Sequence, residues 1–275
     1  MTNTLAPACA AASPHAAITK LKVKKAIVVT KRISRILALH FSDSDRILRP
    51  MKRLTEELPG VPYVAPFAAF IILLGVKNSL DINANWEYPV RVVIVCVILW
   101  LVSRAVIPKR PARLLSSVVV GIFVFLIWIA PDWIWPLYRS HWLFENAVVG
   151  AAKTSLPSNV RASLGFLVFR LFGTAILVPV IEELFWRGWL MRYLINVDFR
   201  KVPLGTYSAT SVWLTAVLFA TEHGPYWDVG LCAGLIYNSW MLRTRSLADC
   251  MIAHAVTNAC LAIYVIAGGH WEYWL

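Results

Sequence analysis

The stretch Leu177-Val178-Pro179-Val180-Ile181-Glu182-Glu183-Leu184-Phe185-Trp186-Arg187 sets two adjacent glutamates into a run that carries no other charge until Arg187. A carboxylate inside an apolar, membrane-length segment costs about 3 kcal/mol even after snorkelling and water defects relieve it. Two side by side are harder to keep, because like charges resist joint ionisation. Side chains retained at that cost are expected to be used, so the stretch points to a membrane helix with a chemical site in it.

The composition around it agrees. Of 275 residues, 59% are hydrophobic and 15% charged, and the mean hydropathy is +0.63. That is too apolar for a soluble domain of this size and predicts an all-α, polytopic membrane bundle of about seven to eight transmembrane helices. Seven apolar segments follow one another, at 61–76, 88–106, 114–130, 162–195, 208–223, 226–242 and 247–267. Each is near or above the length that crosses roughly 30 Å of hydrocarbon at 1.5 Å per helical residue. The fourth is too long for a single crossing, so it is expected to project beyond the bilayer or to bend near Pro179. The connection 131–161, with Trp133, Trp135, Trp142 and Phe144, suits an interfacial re-entrant or surface segment. An eighth span within it is the competing topology, and would invert everything that follows.

Loop charges give the orientation. With the N-terminus inside, Lys109, Arg110, Arg113, Arg192, Arg200, Lys201, Arg243 and Arg245 fall on the cytoplasmic side, against Lys77, Arg139, Lys153 and Arg161 outside. Residues 1–58 are different material from the bundle at 59–275. Residues 1–60 hold 11 Lys/Arg against 4 Asp/Glu, a large part of the net charge of +12. Ile33, Ile36, Leu37 and Phe41 share one helical face beside Lys31, Arg32 and Arg35, which suits a helix lying on a membrane surface; a disordered tail, or translation starting at Met51, are the alternatives. Without aromatic interleaving or a reading motif, anionic lipid is the expected partner of this arm rather than nucleic acid. The first thirty residues lack the pattern of a cleavable signal. Five cysteines without a C-x-x-C spacing read as reduced packing residues.

Three polar groupings mark the apolar second half: Glu182-Glu183 with Arg187, Phe219 with His223 ahead of Gly224-Pro225, and His254 with Asn258. Glu183 and Arg187 share a helical face, as do His254 and Asn258, whereas Glu182 is turned by about 100° from Glu183. Counting rise per residue puts Glu183 and His223 at roughly 20 Å and 22 Å above the inner side, but His254 at only roughly 10 Å. Convergence therefore requires tilt or a shorter fifth helix. The chemistry would suit hydrolysis by an activated water. A desolvated carboxylate takes a proton near neutral pH, and a neighbouring imidazole orients the water. A His and an Asn on one face can both donate to a developing oxyanion. No serine or cysteine has an evident base partner.

Glu-Glu-x-x-x-Arg (Glu182, Glu183, Arg187), Phe-x-x-x-His (Phe219, His223) and His-x-x-x-Asn (His254, Asn258), in that order, resemble the CPBP family of intramembrane endopeptidases, also called Abi or CAAX prenyl protease 2-like. Gly-Leu-Ile-Tyr-Asn at 234–238 and Arg-Thr-Arg-Ser-Leu at 243–247 are also similar to it. The resemblance covers 162–267. It implies that Glu182 and His223 activate the hydrolytic water, that Glu183 and Arg187 support the site, and that His254 and Asn258 bind the oxyanion. It further implies a protein or peptide substrate, lipidated or C-terminally anchored. Residues 61–135 are similar to a bacterial branch associated with exosortase sorting, which places the chain in a bacterial inner membrane. The basic N-terminal arm is not part of the family pattern.

Plainer roles stand beside these. Glu183 with Arg187 could be a buried ion pair that fixes helix register, and His254 with Asn258 could bridge helices. Glu222 is expected to face away from the partners of His223, and Gly230 with Gly234 to form a helix-packing face. Arg91 and Arg170 stand alone within spans and are expected to snorkel or to pair with a carboxylate, Arg170 with the further option of holding an anionic substrate terminus. No cofactor is favoured. Zinc on Glu182, His223 and His254 is the metal-dependent alternative, a two-His, one-carboxylate set with room for water. A non-catalytic scaffold, or an immunity or sorting partner with the same fold, is the rival function, and a proton-coupled transporter a third; oligomeric state is left open.

Overall fold

The computed structural model describes residues 53–76 and 83–274. The expected surface helix of the N-terminal arm, the start at Met51, Cys9 and Lys77 lie outside the described residues. Each of the seven apolar segments becomes a helix. α1 spans Val61–Gly75, α2 Ala84–Ile98 with a wide turn at Leu99–Ser103, and α3 Leu114–Ile134. α4 runs from Leu164 to Tyr193, α5 is Ala209–Thr221, α6 is Trp227–Thr244 and α7 is Leu247–Gly268. No strand occurs among the described residues, so the polytopic helical bundle stands.

The ends follow local sequence. Pro62 opens α1, where a missing N–H costs nothing. Ser163, Ser208 and Ser246 accept from backbone N–H groups in the first turns of α4, α5 and α7. Gly269, at φ 74°, ends α7 in the left-handed cap that glycine adopts without strain.

Crossing length is less uniform than the hydropathy pattern predicts. Four helical stretches, Asn85–Ser103, Leu114–Ile134, Leu164–Tyr193 and Leu247–Gly268, are long and apolar enough to cross a membrane. α1 has 15 residues and α5 only 13, short of the roughly 20 a perpendicular crossing needs. α5 stops at Thr221 because Gly224-Pro225 forces a turn, which leaves Glu222 and His223 beyond the helix.

α4 bends, as its length requires, but by wide π turns rather than by a proline kink alone. Gly173–Leu177 and Leu184–Leu190 both have π geometry, and Pro179 lies just after the first of them. The widened turns flank Val178–Glu183, so the glutamate pair rides on a short α segment between two irregularities, a placement frequent at functional sites.

α7 is the central element. It packs along α3, against the bent middle of α4 and beside α6, while α5 packs on α6. α3 and α7 approach closely at Gly121, where any Cβ would run into the Ala253 carbonyl and the Val256 side chain. Thr257 Oγ1 donates to the Gly121 carbonyl at 2.8 Å across this contact. The outer face of α3 keeps Leu115, Val119 and Phe123 exposed, and only 17% of its most apolar window is buried in the protein. Such a surface is covered by hydrocarbon.

The connection 131–161 holds no eighth span. After α3 it forms a 3-10 turn at Tyr138–Ser140 and one helical turn at Ser158–Arg161. Trp133, Trp135 and Trp142 are exposed, as an interfacial segment requires, but Phe144 is buried against Tyr138 and Trp227. Arg139 is not the solvated outer charge that loop counting assumes. It is buried, donating to Asp132 at 3.1 Å, to Asp228 and to the Pro225 carbonyl at 2.8 Å. Tyr273 donates to Asp132 at 2.9 Å, so this ion cluster clasps the connection, the end of α3, the start of α6 and the chain beyond α7. Burial, and the adjacent Asp132 carboxylate, raise the Tyr273 phenol above its ordinary range and keep it a donor.

Candidate active site

α4 and α7 bring the first and third polar groupings into contact. Arg187 Nη1 donates to Glu183 Oε1 at 2.9 Å, and both side chains are fully buried. His254 Nδ1 lies 3.0 Å from the same oxygen. A carboxylate oxygen only accepts, so the imidazole carries its proton on Nδ1 and turns Nε2 the other way. That Nε2 is 3.9 Å from Glu182 Oε2, too far for a direct hydrogen bond. The depth mismatch counted from the sequence is closed by the short α5 and the bent α4.

The two glutamates thus divide. Glu183 is a hub whose remaining neighbours are structural. Its partner Arg187 also donates from Nε to Asn238 at 3.0 Å and from Nη2 to the Gly234 carbonyl at 3.2 Å, with the guanidinium 4.7 Å from the Phe219 ring centre. Glu182 is buried too, and its Oε2, like Glu183 Oε2, has no hydrogen-bond partner, but of the two glutamates only Glu182 lines a chamber. An orphan carboxylate oxygen in a buried site calls for an absent partner such as water or substrate.

His223 reaches the same place from the turn after α5. Its Nδ1 lies 2.7 Å from the Phe219 carbonyl, so Nδ1 donates and Nε2 keeps its lone pair. The ring packs against Trp128 and Phe219. Gly230 on α6 faces it so closely that an added Cβ would sit 3.2 Å from the ring. Phe219, between Arg187, His223 and His254, is the ring about which the groupings assemble. Asn258 is half-buried and donates Nδ2 to the Thr174 carbonyl at 2.9 Å, leaving its own oxygen free of that bond.

Two chambers meet here. One, of about 170 Å³, is lined by Glu182, Phe219, His223, Tyr237, His254 and Asn258 among others. The second, of about 410 Å³, shares Glu182 and His223 with it and extends along α4 toward α2. All the candidate site residues therefore converge. Glu183 and Arg187 stand behind the chamber wall, in contact with it through His254 and Phe219.

Sequence reasoning set one residue on the wrong side. Glu222 does not face away: it lines the larger chamber with Glu182 and accepts from Trp186 Nε1 at 3.1 Å. It also passed over Thr174, whose carbonyl holds Asn258, and Tyr237, stacked at 5.1 Å on His254 with its hydroxyl on Thr257. Tyr237 and Asn238 lie in the Gly-Leu-Ile-Tyr-Asn stretch, which was their signal. Among the described residues, no group of three or more His, Cys, Asp or Glu side chains is placed to hold a metal ion.

Residues 164–260 match the family model described as Type II CAAX prenyl endopeptidase Rce1-like. No curated protein matches the chain, and no solved structure does. The matched segment contains Glu182, Glu183, Arg187, Phe219, His223, His254 and Asn258, and its apolar helices make it part of an integral membrane protein. Over this segment the chain is similar to the Rce1-like, type II CAAX prenyl endopeptidases.

Proposed function

We propose that the chain is an integral-membrane endopeptidase in which Glu182 and His223 activate a water held between the two chambers. The observation that carries this reading is the buried Glu182, without a hydrogen-bond partner on Oε2 and lining both chambers, beside an imidazole whose tautomer leaves Nε2 as acceptor. The water gives its proton to Glu182, with His223 Nε2 as the second acceptor, and its oxygen attacks the amide carbon. His254 Nε2, given a second ring proton from chamber water before the attack and returning it afterwards, and Asn258 Nδ2, on leaving the Thr174 carbonyl, supply donors to the tetrahedral oxyanion. Glu183, held by Arg187, keeps the His254 ring in register. The proton on Glu182 passes to the leaving amine.

The substrate is a protein or peptide whose apolar tail or lipid lies among the exposed faces of the helices. The charge asymmetry of the loops supports a cytoplasmic N-terminus, and the resemblance to the bacterial branch supports a bacterial inner membrane. The test is cleavage of an N-palmitoylated randomised peptide pool by the purified chain in nanodiscs, read by mass spectrometry. New peptide termini are expected with the unsubstituted chain and none with Glu182→Gln; equal cleavage by both would remove Glu182 from the reaction.

A further inference from the structure

The larger chamber has an end beyond Glu182 that water activation leaves unused, and Arg170, which lines the smaller chamber as well, stands where it begins. Arg91 on α2 and Arg170 on α4 line it, and both guanidinium groups rest on the Tyr88 ring, 5.1 Å and 4.6 Å from its centre. Arg91 is only 5% exposed. Its Nη2 meets Glu87 at 3.3 Å, but its Nε and Nη1 have no hydrogen-bond partner, and neither has Arg170 Nε. Arg170 stacks on Trp274 as well as Tyr88. The other carboxylates of the chamber, Glu182 and Glu222, belong to its reacting end. Two cations thus face one paired carboxylate, with buried donors left over. The ion pair with Glu87 accounts for Arg91 Nη2, and Arg170 is half-buried with a polar side-chain contact to Tyr88, which leaves Arg91 Nε, Arg91 Nη1 and Arg170 Nε as the buried donors without acceptors.

Buried guanidinium donors without acceptors are costly, and their planar fork matches a carboxylate. We propose that Arg91 and Arg170 form a carboxylate-binding subsite, which holds a carboxylate of the substrate peptide beyond the bond that is cut. The inference rests on the peptidase reading above. Arg170, Thr174, Val178 and Glu182 recur every four residues on α4 and all line the chamber, so subsite and reacting carboxylate share one face. Twelve helical residues separate the two by about 18 Å. An extended peptide covers that in about five residues. The anchored carboxylate, whether the chain end or an acidic side chain, therefore lies within about five residues of the scissile bond. A peptide is favoured over a lipid phosphate because the arginines lie in the chamber that also holds Glu182, where the substrate backbone has to pass.

The test measures binding, separately from turnover. Full-length chain carrying Glu182→Gln, in nanodiscs, is titrated with fluorescent N-palmitoylated randomised peptides. The pool is made as C-terminal free acid, as C-terminal amide, and as amide with Glu in the last five positions. The subsite predicts at least ten-fold tighter binding of one or both carboxylate pools than of the plain amide. Arg170→Gln should abolish the preference and Arg170→Lys restore part of it. Equal binding of all three pools overturns the proposal, and because that comparison needs no arginine variant, misfolding cannot mask it. A preference that survives both Arg91→Gln and Arg170→Gln also overturns it. So does Arg170-dependent binding of dioctanoyl phosphatidic acid with no preference among the peptides, which would assign the site to a lipid phosphate. An Arg170-dependent preference with no cleavage of any pool by the unsubstituted chain would uphold the subsite and reject the peptidase reading.

Discussion

Glu183 Oε1 receives two cationic or ring donors at once, His254 Nδ1 at 3.0 Å and Arg187 Nη1 at 2.9 Å, and so ties α4 to α7 at the base of the chamber. Breaking a buried pair by removing one partner strands the other charge, at about 3–5 kcal/mol. Glu183→Ala is expected to lose stability of that order, seen as a large drop in thermal unfolding midpoint in detergent. Glu182→Gln, which strands no cation, is expected to leave the midpoint nearly unchanged. Equal loss in both would mean that the glutamates share one structural role.

Gly230 bears on function through His223 alone. A Cβ there would press the imidazole at 3.2 Å, a contact tighter than the ring can accept without moving. Misplacing a reacting group by about 1 Å can cost roughly a hundred-fold in rate. The ring has to give by only a fraction of that, so Gly230→Ala should lower the cleavage rate by roughly three- to ten-fold while the unfolding midpoint shifts little. Unchanged turnover would place the His223 ring outside the reaction.

The clasp around Arg139 is a stability device for the irregular connection. Its guanidinium bonds Asp132, Asp228 and the Pro225 carbonyl while 8% exposed. Arg139→Ala leaves two part-buried aspartates facing each other, and is expected to cost about 3 kcal/mol. Limited proteolysis should then cut within 135–157 well before the helices. Cleavage no faster than in the unsubstituted chain would show that the aromatic packing of Phe144 suffices.

At Gly121 the close approach of α3 and α7 leaves no volume for a side chain. Gly121→Val is expected to force the helices apart and to cost about 1–3 kcal/mol as overpacking. Because α7 carries His254, activity should fall with stability, and a full-rate variant would contradict the central place given to that crossing.

How much of this was written in the sequence depends on the range of the interaction. Hydropathy placed the seven long helices found among the described residues, and the four-residue spacing Glu183–Arg187 became the contact expected of it, because it is local. The spacing His254–Asn258 gave a shared face but not the partners, since Glu183 and Thr174 lie on another helix. The π turns of α4 have no composition signal; the first lies just before Pro179, which withholds a donor, and packs on α7. Glu222 was misplaced because its direction is set by how the Gly224-Pro225 turn leaves α5, not by helical phase. Arg139 was counted as a loop charge because nothing local shows that Asp228, 89 residues on, closes over it.

The most direct measurement is the cleavage rate of Glu182→Gln beside that of Glu222→Gln, both as full-length chains in nanodiscs on the same N-palmitoylated peptide pool. The two carboxylates line one chamber, and the amide oxygen that Glu222→Gln introduces would still accept the Trp186 bond. General-base catalysis by Glu182 predicts a loss of about 10²–10⁴ in the first and a rate within about ten-fold of the unsubstituted chain in the second. The reverse order, or equal residual rates, would contradict the assignment of the water to Glu182.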